Sequence, residues 1–273
     1  MTELLEFITT LLFGLWAAQM VVAWGRFDRL PHGKLLYAIS WLWPLLMFED
    51  LLRIFGGDWL APMLGLFYFV PVLMMIGVIL MVYPRLVEQP MRWRPLMWGA
   101  LVVILLCQIP LLLLNAEDKQ VLLAVQPVGQ PLANLPIYLA YWLSGLFIVG
   151  MGIKLVDVMQ IYQATLSEQV VDVNYYRVPA IVGLTATIVG VGFAAIVLTT
   201  LVAFNFIHFT WWQTTIHYSY AAVLFLILIL LLERRRYSPL PFDMARLERR
   251  PGYDNAVRVS LALAGKATEK PQA

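Results

Sequence analysis

Residues 211–237 read WWQTTIHYSYAAVLFLILILLLERRRY, and this stretch decides the fold. From Trp211 to Leu232 no residue carries a fixed charge, and His217 is the single imidazole. At ~1.5 Å rise per residue the run spans ~33 Å, enough to cross a hydrocarbon core of ~30 Å. It ends at Glu233-Arg234-Arg235-Arg236. Arginines just beyond a membrane helix are retained on the cytoplasmic side, so the C-terminus is expected inside. The rest of the chain can be threaded backwards from this anchor.

The bulk composition agrees. Of 273 residues, 61% are hydrophobic and 13% charged, against roughly 45–50% and about 25% in soluble domains. A polytopic helical membrane protein follows. Cys107 is the one cysteine, which leaves no disulfide framework or cysteine metal site. The net charge of +2 implies no nucleic-acid partner, because the positive residues sit in loops and at the C-terminus, where topology explains them. The opening MTELLEF carries Glu3 and Glu6 where a signal peptide carries basic residues, so it is expected to stay as a membrane helix.

Working outward, apolar runs and turn residues predict helices at about 4–24, 35–55, 59–83, 96–114, 137–162, 178–206 and 211–232. The expected architecture is an all-α, seven-transmembrane-helix bundle over 1–237, N-terminus outside and C-terminus cytoplasmic, with a short, partly disordered cytoplasmic tail at 238–273. The loops support this orientation: Arg26, Arg29, Lys34, Arg85, Arg92, Arg94, Lys154, Arg177 and Arg234–Arg236 fall inside, and only Arg53 and Lys119 outside. Pro71 is expected to kink the third helix. Thr165-Leu166-Ser167-Glu168 reads as a capping box opening a further short helix. Residues 120–136 are expected to lie on the outer membrane face, with a short interfacial helix at Val121–Val125.

Ionisable and polar residues inside apolar helices mark candidate sites, because burying charge in lipid is costly. Glu49 and Asp50 lie near the end of the second helix, with Arg53 four residues after Glu49. The simpler account is an i,i+4 ion pair at the water interface; the functional one is a polar or proton-responsive site near the outer leaflet. His208 and His217 bracket the outer turn between the last two helices, in FNFIHFTWWQTTIHYSY. An interfacial aromatic belt explains the rings plainly. The functional reading is an outward cup for a small amphipathic ligand, with Asn205, His208, Trp211, Trp212, Gln213 and His217 as contacts. Gly183, Thr185, Thr187, Gly190 and Gly192 read as a small-residue packing face. Gln19, Cys107, Gln108 and Ser144 are isolated polar points, with interhelical hydrogen bonding the default.

No HExxH, GxSxG or Walker-type loop occurs, no matched pair of broken helices is seen, and the few histidines cannot build bis-imidazole haem sites. No catalytic residue, metal or cofactor is therefore expected. The layout resembles the seven-helix membrane input domain of some bacterial AraC-type regulators and sensor kinases. The likeness rests on Gly65-Leu66-Phe67-Tyr68-Phe69-Val70-Pro71, on the long fifth helix running into Thr165–Glu168 and Tyr175-Tyr176-Arg177, and on the exit Arg234-Arg235-Arg236-Tyr237. It implies a sensor, and since such proteins continue into an output domain, signalling here through a partner. The expected function is a non-enzymatic sensory or regulatory module of the bacterial inner membrane. The expected partners are the bilayer and a cytoplasmic or membrane protein met through Lys154, Arg177 and Arg234–Arg236, with a homodimer also compatible. The rivals are a subunit of a larger membrane complex and a small-molecule or lipid permease.

Overall fold

The computed structural model describes residues 2–25, 27, 33–55, 62–87, 89–169 and 179–232. Arg26, Arg29, Arg177, Arg234, Arg235, Arg236, the side chain of Arg53, Tyr175-Tyr176 and the tail 238–273 lie outside the described residues, and so do the partner contacts and the Glu49–Arg53 ion pair expected of them. Among the described residues the structure is helical: α1 Thr2–Ala23, α2 Gly33–Leu42, a 3₁₀ segment Trp43–Met47, α3 Phe48–Phe55, α4 Val70–Leu86, α5 Arg94–Leu112, α6 Ala116–Ala124, α7 Leu135–Gln169, α8 Pro179–Ala203 and α9 Trp212–Leu232. Six stretches are long and apolar enough to cross a membrane: Glu6–Ala23, Gly33–Leu52, Arg94–Leu112, Leu135–Leu166, Ala180–Ala203 and Trp212–Leu232. This is a multi-pass membrane protein. We call the end of the bundle where α9 begins the top, and the end where it finishes the bottom.

An apolar helix of seventeen residues sits at the centre. From Val70 to Leu86, α4 buries residues on every side, as a helix apolar all round must. Around it α1, α5 and α8 turn outward Leu11, Val102, Leu106 and Phe193, each exposed. That inside-out pattern is what a lipid solvent selects. The helices α7 and α8 pack most extensively, and three glycines, Gly145, Gly152 and Gly192, bring them close. A Cβ on Gly145 would stand 2.6 Å from Ile196 Cγ1 and 3.0 Å from the Gly192 carbonyl oxygen. Of the expected packing face on α8, Gly192 meets α7, whereas Gly183 and Gly190 face open space.

Three elements differ from the sequence reading. The second helix is interrupted: Pro44 lacks an N–H, and the chain tightens to 3₁₀ over Trp43–Met47. The carbonyl of Ser40, four residues back, is answered instead by the Trp16 indole N–H at 2.7 Å. The third helix begins at Val70, not near 59, so Pro71 occupies its first turn and produces no kink. Residues 64–69 form turns, entered through Gly65 at φ +79°. Finally, α7 runs unbroken for 35 residues, and Thr165 caps nothing. Its hydroxyl donates back to the Ile161 and Tyr162 carbonyls, and the buried row Leu155, Met159, Tyr162, Leu166 carries straight through the expected break.

Turns among apolar helices need partners for their backbone groups, because lipid offers none. Glu49, nearly fully buried, accepts from the Gly65 N–H at 3.1 Å. The Gln108 amide spans the same turn, its orientation assigned from its neighbours: the nitrogen faces the Gly65 carbonyl at 3.2 Å and the oxygen faces the Phe69 N–H at 2.9 Å. Lys119, expected on the outer side, is buried and donates to the Pro62 and Leu112 carbonyls, both at 2.9 Å. The second contact closes the C-terminus of α5, where a cation also meets the helix dipole.

Candidate functional site

The core-facing row of the second membrane segment runs Leu36, Ile39, Trp43, Met47, and its next member is Asp50, with no exposed surface at all. A carboxylate in that position must be fully engaged. Its Oδ1 accepts from the Thr214 hydroxyl at 2.5 Å, and its Oδ2 lies 2.9 Å from His217 Nδ1. Beyond the ring, His217 Nε2 is 2.5 Å from the Tyr141 hydroxyl on α7. With Asp50 ionised and His217 neutral, Nδ1–H donates to Oδ2 and the Tyr141 hydroxyl donates to Nε2. The Tyr141 and His217 rings also stack, with centroids 5.7 Å apart.

The network continues upward into the chain between α6 and α7. Gln126, nearly fully buried, donates from Nε2 to Thr214 at 2.7 Å and accepts at Oε1 from the Gln213 N–H at 2.9 Å. The second contact satisfies one of the open amides at the start of α9. Next to it, the Pro127 carbonyl accepts from the Trp212 indole at 2.9 Å, and the Gly129 carbonyl accepts from the Tyr138 hydroxyl at 2.9 Å. The segment expected to lie on the membrane face is therefore partly folded into the bundle, as a plug over the Asp50–His217 pair. A short helix is there, but it runs Ala116–Ala124 and begins five residues before the expected Val121–Val125.

Below the pair lies a cavity of about 20 Å³, room for about one water. Tyr68, Tyr141, Ser144, His217 and Tyr220 contribute to its wall. The hydroxyls of Ser144 and Tyr220 are buried and have no hydrogen-bond partner among the described residues. No group of three histidine, cysteine, aspartate or glutamate side chains among the described residues is placed to hold a metal ion.

The expected cup divides. Asp50, His217, Trp212 and Gln213 meet in one buried cluster; Glu49 is buried nearby, against the turn at Gly65. His208 is exposed and Trp211 half-buried in the turn before α9. Asn205 is exposed at φ +58°, where it ends α8: its own N–H and that of Phe206 return to the Val202 and Leu201 carbonyls. That paired pattern is a left-handed helix stop, for which asparagine is the usual substitute for glycine. Sequence reasoning missed Tyr141, Thr214 and Gln126. The spacing of Leu36, Ile39, Trp43, Met47 and Asp50 was the available signal, since it sets the carboxylate on the core face and not at the water interface. Nothing comparable marks Gln126. Comparison with protein-family models, curated proteins and solved structures gave no match.

Proposed function

We propose that the chain is a non-enzymatic sensory or regulatory module of a bacterial inner membrane, crossing it seven times with the top outside and the bottom in the cytosol. One observation carries the sensory part: the buried Asp50–His217–Tyr141 chain of contacts grips α7 near its upper end. That helix is a continuous rod of 35 residues, ~52 Å long against a hydrocarbon core of ~30 Å. A rod fixed at the top by a few directional bonds carries any tilt to its bottom end, where Leu155, Met159, Tyr162 and Leu166 stay buried and Lys154, Asp157 and Gln160 face outward. The cavity beside the pair is far smaller than a drug-sized ligand site of ~300–1,000 Å³. The stimulus, a small ligand or a change in the membrane, therefore acts by loosening the Gln126 plug, and a cytoplasmic partner reads the bottom of α7. This reading moves the sensing contacts from an open cup to a closed polar lock.

The test uses spin labels at Lys34→Cys on α2 and Gln160→Cys on α7, both exposed positions near the bottom, in a Cys107→Ser background. In lipid nanodiscs, the distance distribution is expected to shift by about 2 Å or more when Asp50→Asn and His217→Gln break the lock, in the range of known interface helix shifts. An unchanged distribution in a folded double variant would remove the link between lock and rod, and the sensory reading with it.

A further inference from the structure

At the bottom of the bundle a second cavity opens, unrelated to the lock and about thirty times the size of the small cavity beside it, at about 620 Å³. One wall is a strip of α7: Gly150, Lys154, Asp157, Val158 and Ile161. Their spacing of 4, 3, 1 and 3 residues keeps them on one helical face, a strip ~16 Å long. The opposite wall is the end of α4 and the turn leading into α5, with Tyr83, Arg92, Trp93 and Leu96. Tyr83 and Trp93 meet edge to face, centroids 5.8 Å apart. Leu96 is exposed, and a Cβ on Gly150 would meet nothing within 4 Å.

Two features fix what such a cleft would take. Most of its wall is apolar carbon, and it lies where α5 enters its membrane-crossing stretch at Arg94, so acyl chains are its natural solvent. At its mouth stand Arg92 and Lys154, both exposed and neither in an ion pair among the described residues, and among the described residues of the wall Asp157 is the one acidic side chain. Among the described residues, two cations against one anion leave a net single positive charge. That complements a phosphodiester monoanion, while Asp157 can accept from headgroup hydroxyls. Basic pockets between membrane helices commonly hold anionic headgroups, and a tryptophan beside them sits at the headgroup level.

We infer that this cleft binds one anionic glycerophospholipid, its phosphate between Arg92 and Lys154 and one acyl chain along the Gly150 face of α7. The inference does not rest on the sensory reading, because the lock is at the other end of the bundle.

The experiment measures thermal unfolding of the full chain in a mild, lipid-free detergent supplemented with phosphatidylglycerol, phosphatidylcholine or inorganic phosphate, together with native mass spectrometry. Phosphatidylglycerol is expected to raise Tm by about 4 °C and to be retained at one molecule per chain. Phosphatidylcholine and inorganic phosphate are expected to leave Tm within about 1 °C. The double variant Arg92→Gln/Lys154→Gln should lose the shift, and Arg92→Lys/Lys154→Arg should keep it. Should the glutamine variant fold poorly, Gly150→Leu, which fills open space in the groove, is expected to cut the shift by at least half. An equal response to phosphatidylcholine would mean a lipid annulus without charge recognition, and an equal response to phosphate alone would mean a soluble anion. Either result, or a full shift in both the glutamine and Gly150→Leu variants, overturns the assignment.

Discussion

Asp50 shows how much one buried carboxylate can organise. Removing it leaves the Thr214 hydroxyl and His217 Nδ1 without their acceptor in a fully buried position. Orphaning one side of a buried polar pair costs about 3–5 kcal/mol in soluble proteins, whereas interhelical polar contacts in bilayers average nearer 0.6 kcal/mol, because the unfolded reference also finds partners. The full burial of Asp50 favours the upper figure here. Asp50→Ala is therefore expected to destabilise by about 3 kcal/mol, and Tyr141→Phe, which trims one end of the chain of contacts, by about 1 kcal/mol. Unfolding in mixed micelles would measure both. Equal, small losses would mean that the lock is loose. The sequence held half of this. Glu49, Asp50 and His217 were conspicuous as polar residues in apolar helices, but Arg53 at i,i+4 offered Glu49 a nearer partner, and a partner 167 positions away leaves no local trace. Gln126 was illegible for the same reason: a polar residue in a Pro- and Gly-rich connector looks solvated until the fold turns it inward.

Among the helices, the apolar runs disclosed which segments enter the membrane and concealed how they are broken and which way they face. Pro44 lies inside a run hydrophobic enough to read as one span, and the break is tolerated because Trp16 reaches the freed carbonyl. No period in the sequence announces that rescue. The long α7 was cut short for the opposite reason, since Thr165-Leu166-Ser167-Glu168 has the residue types of a cap while the buried row beneath it continues. Facing is harder still in α8, where Gly183, Gly190 and Gly192 share an almost uniformly apolar helix, so their neighbours were decided by packing alone. The contrast can be measured. Gly145→Leu must push apart the α7–α8 contact, against Ile196 and the Gly192 backbone, and is expected to cost about 2–3 kcal/mol. Gly190→Leu projects into open space and is expected to change stability by under about 0.5 kcal/mol. Similar losses at both positions would show that the two helices are not held at this separation.

For the molecule as a whole, the seven-span proposal turns on α4, which among the described residues is the apolar segment too short to count as a span by itself. Seventeen residues cover ~25 Å, a few ångströms less than the hydrocarbon core of ~30 Å. The shortfall falls at the top, where the turns at 64–69 carry non-helical backbone that is answered by Glu49 and Gln108 inside the protein. Enclosed this way, a short helix can complete a crossing without showing open backbone to lipid. Parity then follows: an odd number of crossings sets the termini on opposite sides, whereas a re-entrant α4 would return both to the same side. The described cations agree with the first case, since Lys34, Arg85, Arg92, Arg94 and Lys154 all belong to the bottom, and Lys119 at the top is consumed in carbonyl contacts. Single cysteines at Met63 and Pro90, exposed positions at either end of α4, decide it in a Cys107→Ser background. With an impermeant maleimide added to intact spheroplasts, Met63→Cys is expected to label from the outside, and Pro90→Cys only after lysis. Labelling of both from one side would make α4 re-entrant, reverse the parity, and detach the basic lower cleft from the cytoplasmic leaflet.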